Sequence, residues 1–207
     1  MQDGGATYDR RYSRPGYYWG TKPTGLCRSV VKLMAEHRRK GLRLIDLGAG
    51  EGRDLIHFAK HGFRVIGVDI SRVGLEKARR RAAKLKLPVR IQCADIRTYR
   101  MPGKFDVVFS SGTLGNLASE ERARRVEHFK RATVRGGINA MNAFVNKPYL
   151  RPPPEMDRSE TPYRSGELLG YYWDWQILES GEFEFACNSS GIPHRHAMDI
   201  VIARNPG

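Results

Sequence analysis

The feature that most constrains the fold is residues 44–54, where an apolar strand turns through three glycines into a helix start. Glycine lets a backbone approach a ligand closely, and a helix N-terminus presents N–H groups and a positive dipole end. A dinucleotide-binding loop would show Gly-x-Gly-x-x-Gly. Here the glycines Gly48, Gly50 and Gly52 follow Asp46, an acid that disfavours a pyrophosphate and suits a ligand carrying an amino group.

The strand–helix alternation continues along the chain. Strands are predicted over Leu42–Leu47, Arg64–Val68, Val89–Cys93, Phe105–Ser110 and Ile138–Phe144. Helices are predicted from Thr24 to the stop Arg38-Arg39-Lys40-Gly41, then over Asp54–Lys60, Ser71–Lys86 and Ser119–Ala132, with a turn at Gly136-Gly137. This pattern predicts an α/β fold: a doubly wound, mostly parallel sheet with helices on both faces.

The C-terminal part breaks the alternation. Residues 146–165 are polar and rich in proline and predict an irregular excursion, followed by a short helix near Gly166–Tyr172. Two strands, Gln176–Cys187 and Ala197–Arg204, are separated by a polar turn and predict an antiparallel β-hairpin. The sheet would then have seven strands, in a single domain over residues 1–207.

Residues 1–22 are rich in Tyr, Arg and Gly without clear periodicity, so we predict an aromatic and basic arm rather than a helix or strand.

The chain carries a formal charge of +14, and residues 1–152 hold 32 Lys and Arg against 13 Asp and Glu. A basic surface of this kind can bind phosphate backbones, which keeps a nucleic-acid partner open.

The composition indicates a cytoplasmic protein with no membrane partner, because no apolar run of 18 residues and no signal-peptide pattern occurs. The cysteines Cys27, Cys93 and Cys187 form no Cys-x-x-Cys pair, which predicts reduced thiols and no zinc site. The His-x-His pattern at His194 and His196 has no evident third ligand, so we predict no metal. Either a monomer or a homodimer is compatible with these features.

Two further acids stand where predicted strands end. Asp69 closes the second strand, where a carboxylate can accept both hydroxyls of a ribose, and Asp95 with Ile96 follows the third. The order of these pieces, with Phe105–Ser110 as fourth strand and Gly136-Gly137 before the fifth, resembles the class I S-adenosylmethionine-dependent methyltransferases. The resemblance covers about residues 40–145.

This resemblance implies S-adenosylmethionine as cofactor and S-adenosylhomocysteine as product. It implies that a loop and three strand ends hold the parts of the cofactor. The methionine portion would be held by Asp46, Gly48, Ala49, Gly50 and Arg53 with Ser110 or Ser111, the ribose by Asp69 and Ile70, and the adenine by Asp95 and Ile96.

A narrower resemblance, to the small tellurite-resistance methyltransferases, rests on residues 17–23, 52–54 and 166–175. It implies substrate contacts from Tyr17, Tyr18, Trp19, Arg53 and His194. Members of that family carry a His-Arg pair on the penultimate strand, where this chain has Ala186-Cys187; His194-Arg195-His196 beyond the turn could take its place. The identity of the acceptor therefore stays open.

The hypothesis is methyl transfer to a small-molecule acceptor, an oxyanion or a soft nucleophile of the tellurite, selenite or thiol type. Such nucleophiles attack an activated methyl in line and need no general base, so no catalytic residue is assigned. An RNA methyltransferase and a non-catalytic S-adenosylmethionine-binding protein remain as alternatives. Residues 110–116 lack the Asn/Asp-Pro-Pro-Tyr and Pro-Cys patterns of nucleobase methylation, so a nucleic acid is not favoured.

Overall fold

The computed structural model describes residues 4–34, 41–154 and 161–207. The strands are β1 Arg43–Leu47, β2 Arg64–Asp69, β3 Val89–Cys93, β4 Phe105–Ser110, β5 Thr133–Val145, β6 Gln176–Cys187 and β7 His194–Arg204. The helices are α1 Gly4–Tyr12, α2 Gly25–Leu33, α3 Arg53–Lys60, α4 Arg72–Lys84, α5 Ser119–Arg131 and α6 Glu167–Gly170, with a 3-10 turn at Leu114–Asn116. None of the helices in these ranges is long and apolar enough to cross a membrane.

All seven strands form one sheet in the order β3-β2-β1-β4-β5-β7-β6. Strands β1 to β5 pair in parallel, whereas β7 runs antiparallel to β5 and β6 antiparallel to β7. The predicted fold class, including the C-terminal antiparallel hairpin, is confirmed. In such a sheet the order reverses between β1 and β4, and the crevice at their carboxyl ends is where open α/β folds bind ligands.

The central strands are apolar on both faces because helices cover both. In β1, Leu44 belongs to one buried cluster with Phe58 and Phe109, and Ile45 belongs to the opposite cluster with Phe129. The rings of Phe58 and Phe109 meet edge to face with centroids 5.0 Å apart. This two-sided burial gives the sheet a rigid frame, from which the strand ends project the polar residues.

Strand β5 is longer than the sequence predicts. It begins at Thr133, so Gly136 and Gly137 lie within the strand rather than in a turn before it. Gly136 has a φ of 74°, and the register with β4 shifts between Phe105 and Val107, which are the marks of a β-bulge. The glycine pair therefore forms an irregularity within β5 and does not end the strand.

Helix α2 begins as predicted, because the Thr24 side chain accepts the Cys27 N–H at 3.1 Å. The predicted stop at Arg38-Arg39-Lys40 lies outside the described residues, as do residues 155–160 of the proline-rich excursion. Within the described part of that excursion, Tyr163 is fully buried and forms an isolated bridge with Val145.

The prediction of an irregular N-terminal arm is wrong for its first half, since Gly4–Tyr12 form helix α1. Tertiary contacts stabilise the C-terminal half of this helix. Asp9 accepts hydrogen bonds from the Ser71 hydroxyl at 2.5 Å and the Val73 N–H at 3.1 Å, at the start of α4. A short helix whose stability comes from docking leaves little periodicity in its sequence.

Tyr12, the last residue of α1, lies in a slot between two glycines. A Cβ on Gly74 would lie 2.6 Å from the Tyr12 ring, and one on Gly50 would lie 2.9 Å from the Tyr12 hydroxyl. The ring is only 4% exposed. Helix α1 consequently covers the glycine turn that follows β1.

We expect Asp9→Ala to loosen α1 while the sheet stays intact, because the Ser71 and Val73 donors lose their acceptor. Hydrogen bonds to a charged group contribute about 1.5–3 kcal/mol, so amide hydrogen exchange in residues 4–12 should accelerate roughly tenfold or more. Arg10→Ala, an exposed neighbour on the same helix, is the control. Equal exchange in the two variants would contradict the docking role of Asp9.

Candidate functional site

A cavity of about 1040 Å³ lies at the carboxyl ends of the central strands. Its walls come from the loop after β1, the ends of β2, β3 and β4, helix α2, the N-terminal arm, and one face of the β6–β7 hairpin. This is the position that the strand order predicts for a ligand site.

The loop after β1 follows a path that only glycine fits at its first position. Gly48 has a φ of 90°, and a Cβ there would overlap the hydroxyl oxygen of Thr113. The Gly48 and Ala49 N–H groups both donate to the Val68 carbonyl, at 2.7 and 3.0 Å. The loop is thereby fixed to the end of β2, and its residues Gly48, Ala49 and Gly50 line the cavity.

Asp69 ends β2 and is 8% exposed. Its two carboxylate oxygens accept the Ser71 and Gly50 N–H groups, each at 2.8 Å. Burial raises the pKa of Asp69 to about 6, against the lowering effect of these two hydrogen bonds. Each oxygen can still accept a further hydrogen bond, as a pair of ligand hydroxyls would require.

Asp46 lies deeper, 3% exposed at the cavity floor. Burial raises the pKa of its carboxyl well above the ordinary value, and the charges of Asp54 and Asp69 raise it further. The guanidinium of Arg53 and the Leu55 N–H act in the opposite direction. A cation placed beside Asp46 would favour its ionised form, so the floor of the cavity suits a cationic group.

Asp54 is also buried, but its partners belong to the protein. Its carboxylate oxygens accept the Thr24 N–H at 2.8 Å and the Thr24 hydroxyl at 3.0 Å. Asp54 therefore ties the start of α2 to the start of α3, and it shapes the cavity through this contact.

Asp95 and Ile96 line the cavity beyond β3. The Asp95 carboxylate accepts the backbone N–H of Arg97 at 2.9 Å and its guanidinium at 2.5 and 2.8 Å. Burial would raise the pKa of Asp95, but the Arg97 hydrogen bonds outweigh it, so that pKa lies below its ordinary value. Asp95 is therefore an anionic acceptor at neutral pH.

The part of the N-terminal arm that follows α1 contributes aromatic side chains to the cavity wall. Tyr18 and Trp19 line the cavity, and their rings meet at 83° with centroids 4.8 Å apart. The Tyr18 N–H donates to Glu51 at 2.6 Å, and Lys77 forms an ion pair with the same carboxylate at 2.8 Å. Glu51, 4% exposed, is a cavity residue that the sequence analysis did not single out.

Arg53 reaches the cavity from the first turn of α3. Its guanidinium donates to the Trp19 carbonyl at 3.2 Å and lies 3.8 Å from Asp54. Tyr17, in contrast, is absent from the lining and packs outward against α4, with Arg81 5.4 Å from its ring centroid. Of the three aromatic residues predicted to meet a substrate, Tyr18 and Trp19 are at the cavity.

Ser110 does not reach the cavity. It is fully buried, and its hydroxyl donates to the Leu47 carbonyl at 2.8 Å, so it joins β4 to β1. The neighbouring Ser111 lines the cavity and accepts a hydrogen bond from the Asn142 amide at 3.1 Å. The strand alternation makes one serine structural and leaves the other at the site.

The hairpin forms the wall farthest from β3. Residues of both strands line the cavity, among them Phe183, Phe185 and Cys187 of β6 and His196, Met198 and Ile200 of β7. His194 is not among the lining residues, but its ring lies against His196 with centroids 4.6 Å apart. The third ligand that the His-x-His pattern lacks in sequence is present in space: one ligand atom each from Cys187, His194 and His196 lies within 4.8 Å of the others.

Most of the predicted cofactor residues meet at this one cavity although the chain separates them by up to 50 positions. The predicted residues found in the lining are Asp46, Gly48, Ala49, Gly50, Arg53, Asp69, Ile70, Asp95 and Ile96. Further lining residues, among them Tyr8, Thr113 and Asn142, were not predicted from a motif. They reach the site from α1, the loop after β4, and β5.

Comparison with known proteins agrees with this architecture. Residues 44–137 match the family model described as a methyltransferase domain. "Hemagglutinin 1" of Eikenella corrodens is 26% identical over 169 residues, which cover 80% of this chain and 55% of that protein. The probable S-adenosyl-L-methionine-dependent methyltransferase TehB of Haemophilus influenzae is 25% identical over 140 residues, 68% of this chain and 48% of that protein. The chain thus spans about half the length of the curated relatives it matches.

Solved structures share the fold. The crystal structure of TehB from Haemophilus influenzae superposes with a TM-score of 0.76 at 22% identity, covering 88% of this chain and 62% of that one. Magnesium protoporphyrin IX methyltransferase from Synechocystis, solved with bound SAM, superposes with a TM-score of 0.70 at 19% identity, covering 97% and 92% of the two chains. The arrangement of seven strands and covering helices is therefore that of class I methyltransferases.

We expect Gly48→Ala to destabilise the protein through two effects, the left-handed backbone at about 1–2 kcal/mol and overlap with Thr113 at about 1–3 kcal/mol. Gly136→Ala is a matched control, because Gly136 has a φ of 74° but nothing within 4 Å of a Cβ. Denaturant unfolding of both variants separates the effects. Equal losses of unfolding free energy would mean that the loop does not press on Thr113.

Proposed function

We propose that this chain is a class I S-adenosylmethionine-dependent methyltransferase that transfers a methyl group to a small-molecule acceptor, which is an oxyanion or a soft nucleophile. The observation that carries the proposal is the division of the cavity. One end holds buried carboxylates beside the glycine turn, and the other end is lined by aromatic, histidine and cysteine side chains.

The carboxylate end fits a cationic amino acid joined to a nucleoside. Gly48, Ala49 and Gly50 line the cavity, and burial raises the pKa of the neighbouring Asp46, whose ionised form a cationic group would favour. We assign Asp46 to the amino group, with Gly48, Ala49 and Gly50 around the methionine portion.

The remaining contacts follow along the strand ends. Asp69 would accept the ribose hydroxyls beside Ile70, and Asp95 and Ile96 would hold the adenine. Ser111 takes the place predicted for Ser110. When bound, S-adenosylmethionine supplies a methyl group already activated by the sulfonium, and S-adenosylhomocysteine is released.

The opposite end supports an anionic or soft acceptor. Arg53 lies between the two ends, and Arg11, Arg28 and Lys32 also line the cavity, so its rim carries positive charge. Tyr18 and Trp19 present apolar surface that can exclude water, and an aromatic face near a sulfonium contributes about 0.5–2 kcal/mol. We assign these residues to positioning and not to proton transfer.

The first experiment is a calorimetric titration of the protein with S-adenosylmethionine, S-adenosylhomocysteine and NADH in parallel. We expect micromolar binding of the two sulfur nucleosides and none of NADH, since Asp46 would repel a pyrophosphate. The loaded protein is then assayed for methyl transfer to tellurite, selenite, small thiols and RNA. Methylated RNA alone, or binding without any product, would favour the two alternative functions.

Replacement of Asp69 by Asn should reduce S-adenosylmethionine affinity by roughly tenfold or more, because one charge-assisted acceptor is lost. Asp106→Asn is the control: Asp106 also accepts a backbone N–H, from Arg43 at 2.8 Å, but does not line the cavity. Far-UV circular dichroism of each variant checks that the fold is retained. Unchanged affinity in the Asp69 variant would remove this residue from the ribose site.

The pKa of Asp69 also predicts a pH dependence. With a pKa of about 6, the carboxyl is ionised at pH 7.5 and mostly protonated at pH 5. Ligand hydroxyls favour the ionised acceptor, so affinity should fall by about tenfold over that interval. Asp69→Asn should retain only the part of the pH dependence that Asp46 contributes. A native profile that is flat from pH 7.5 to pH 5 would contradict the assignment.

A further inference from the structure

The β6–β7 hairpin places three metal-binding side chains on one face. Cys187 and His194 are direct cross-strand partners in the antiparallel register, and His196 lies two residues further along β7. Directly opposed residues on one face have Cβ atoms about 4.5–5.5 Å apart, and alternate residues of a strand share a face. The backbone pairing itself therefore brings one thiol and two imidazoles together.

The spacing of the ligand atoms is close to what a metal ion requires. The Nε2 atoms of His194 and His196 are 2.9 Å apart, and the Cys187 Sγ completes a group whose atoms all lie within 4.8 Å. With zinc bonds of about 2.0–2.3 Å, tetrahedral ligands lie roughly 3.3–3.6 Å from one another. Small rotations of the three side chains would bring them to that separation.

The surroundings of His194 fix which of its ring nitrogens can bind. Its Nδ1 lies 2.7 Å from the Ile192 carbonyl oxygen, which can only accept, so Nδ1 carries the proton. In the neutral ring Nε2 then has a lone pair directed at His196. A backbone carbonyl that orients a histidine in this way is a regular outer contact of metal-bound histidines.

His196 is held equally firmly. It is 6% exposed, and its ring lies between those of Phe144 and Phe185, with centroids 4.7 and 5.3 Å away. Aromatic packing on both sides restricts the ring and lowers the polarity around its Nε2. Both effects favour a bound ion over hydration, because the imidazole loses little freedom on binding.

We infer that Cys187, His194 and His196 form a three-ligand site for a zinc-type divalent ion, with the fourth coordination position open to the cavity. Sulfur and imidazole ligands select zinc and related ions over magnesium or calcium. Three protein ligands with one exchangeable position are typical of zinc sites that bind a further ligand. Cys187 and His196 line the cavity, so that position is reached from its acceptor end.

The class of ligand for the open position follows from the chemistry of the ion. A small thiol would bind as the thiolate, releasing its proton to the solvent when the metal–sulfur bond forms. The interpretation of this thiol as the methyl acceptor rests on the proposed function, whereas the metal site itself does not.

The test begins with metal binding to the full chain, stripped of metal by a chelator and titrated with zinc against a chromophoric competitor. We expect one equivalent to bind tightly, and Cys187→Ser and His196→Ala to weaken binding by at least about a hundredfold. Cys93→Ser and His61→Ala are matched controls, because Cys93 is an exposed cysteine and His61 one of a stacked pair away from the hairpin. Binding below one equivalent, or undiminished in Cys187→Ser, would overturn the site.

Cobalt(II) provides a second measurement that does not depend on activity. The cobalt-loaded protein should show tetrahedral visible absorption and a thiolate charge-transfer band, which Cys187→Ser loses and Cys93→Ser keeps. Addition of 2-mercaptoethanol should intensify the band if the fourth position takes a thiolate; an unchanged band would overturn the open position. S-adenosylmethionine titration of the same variants separates failure of the metal site from failure of the proposed function, since the two ligand groups lie at opposite ends of the cavity.

Discussion

Burial of carboxylates beneath one glycine turn is the constraint on which the rest of the cleft depends. A buried charge is costly unless hydrogen bonds or an opposite charge compensate it. Asp54 is compensated by Thr24, and Asp69 by the N–H groups of Gly50 and Ser71. Asp46 has the weakest compensation of the three, and burial raises the pKa of its carboxyl well above the ordinary value. The cationic ligand proposed for this end would supply the missing charge.

The same glycine turn decides how the N-terminal arm docks. Because Gly50 and Gly74 lack side chains, the ring of Tyr12 can lie against their backbones. Glu51 then holds the segment that follows, through the Tyr18 N–H and Lys77. The absence of side chains at these two glycines therefore lets the N-terminal arm pack closely against the loop after β1.

Much of the fold could be predicted from the sequence because its signals are local. Strands Val89–Cys93, Phe105–Ser110 and Gln176–Cys187 have the predicted bounds, because apolar or alternating residues and flanking turns mark them in the sequence. The glycines and acids near strand ends were readable for the same reason. Helix α1 was not, since its stability depends on Asp9 reaching Ser71, 62 positions away. The choice between Ser110 and Ser111 also required the orientation of β4, which a run of apolar residues on both faces leaves undefined.

The hairpin shows most clearly what the linear pattern omits. His194 and His196 were recognisable as an alternating pair, but their proposed third partner, Cys187, stands on the other strand, across a turn of polar residues. A ligand set of this kind depends on register, because a slip of one residue would turn Cys187 to the opposite face. That register is the pairing of β6 with β7, which ends with Cys187 opposite His194, and β7 is itself fixed by its pairing with the buried strand β5. The core of the sheet thus positions the hairpin, and through it the three side chains of the proposed metal site.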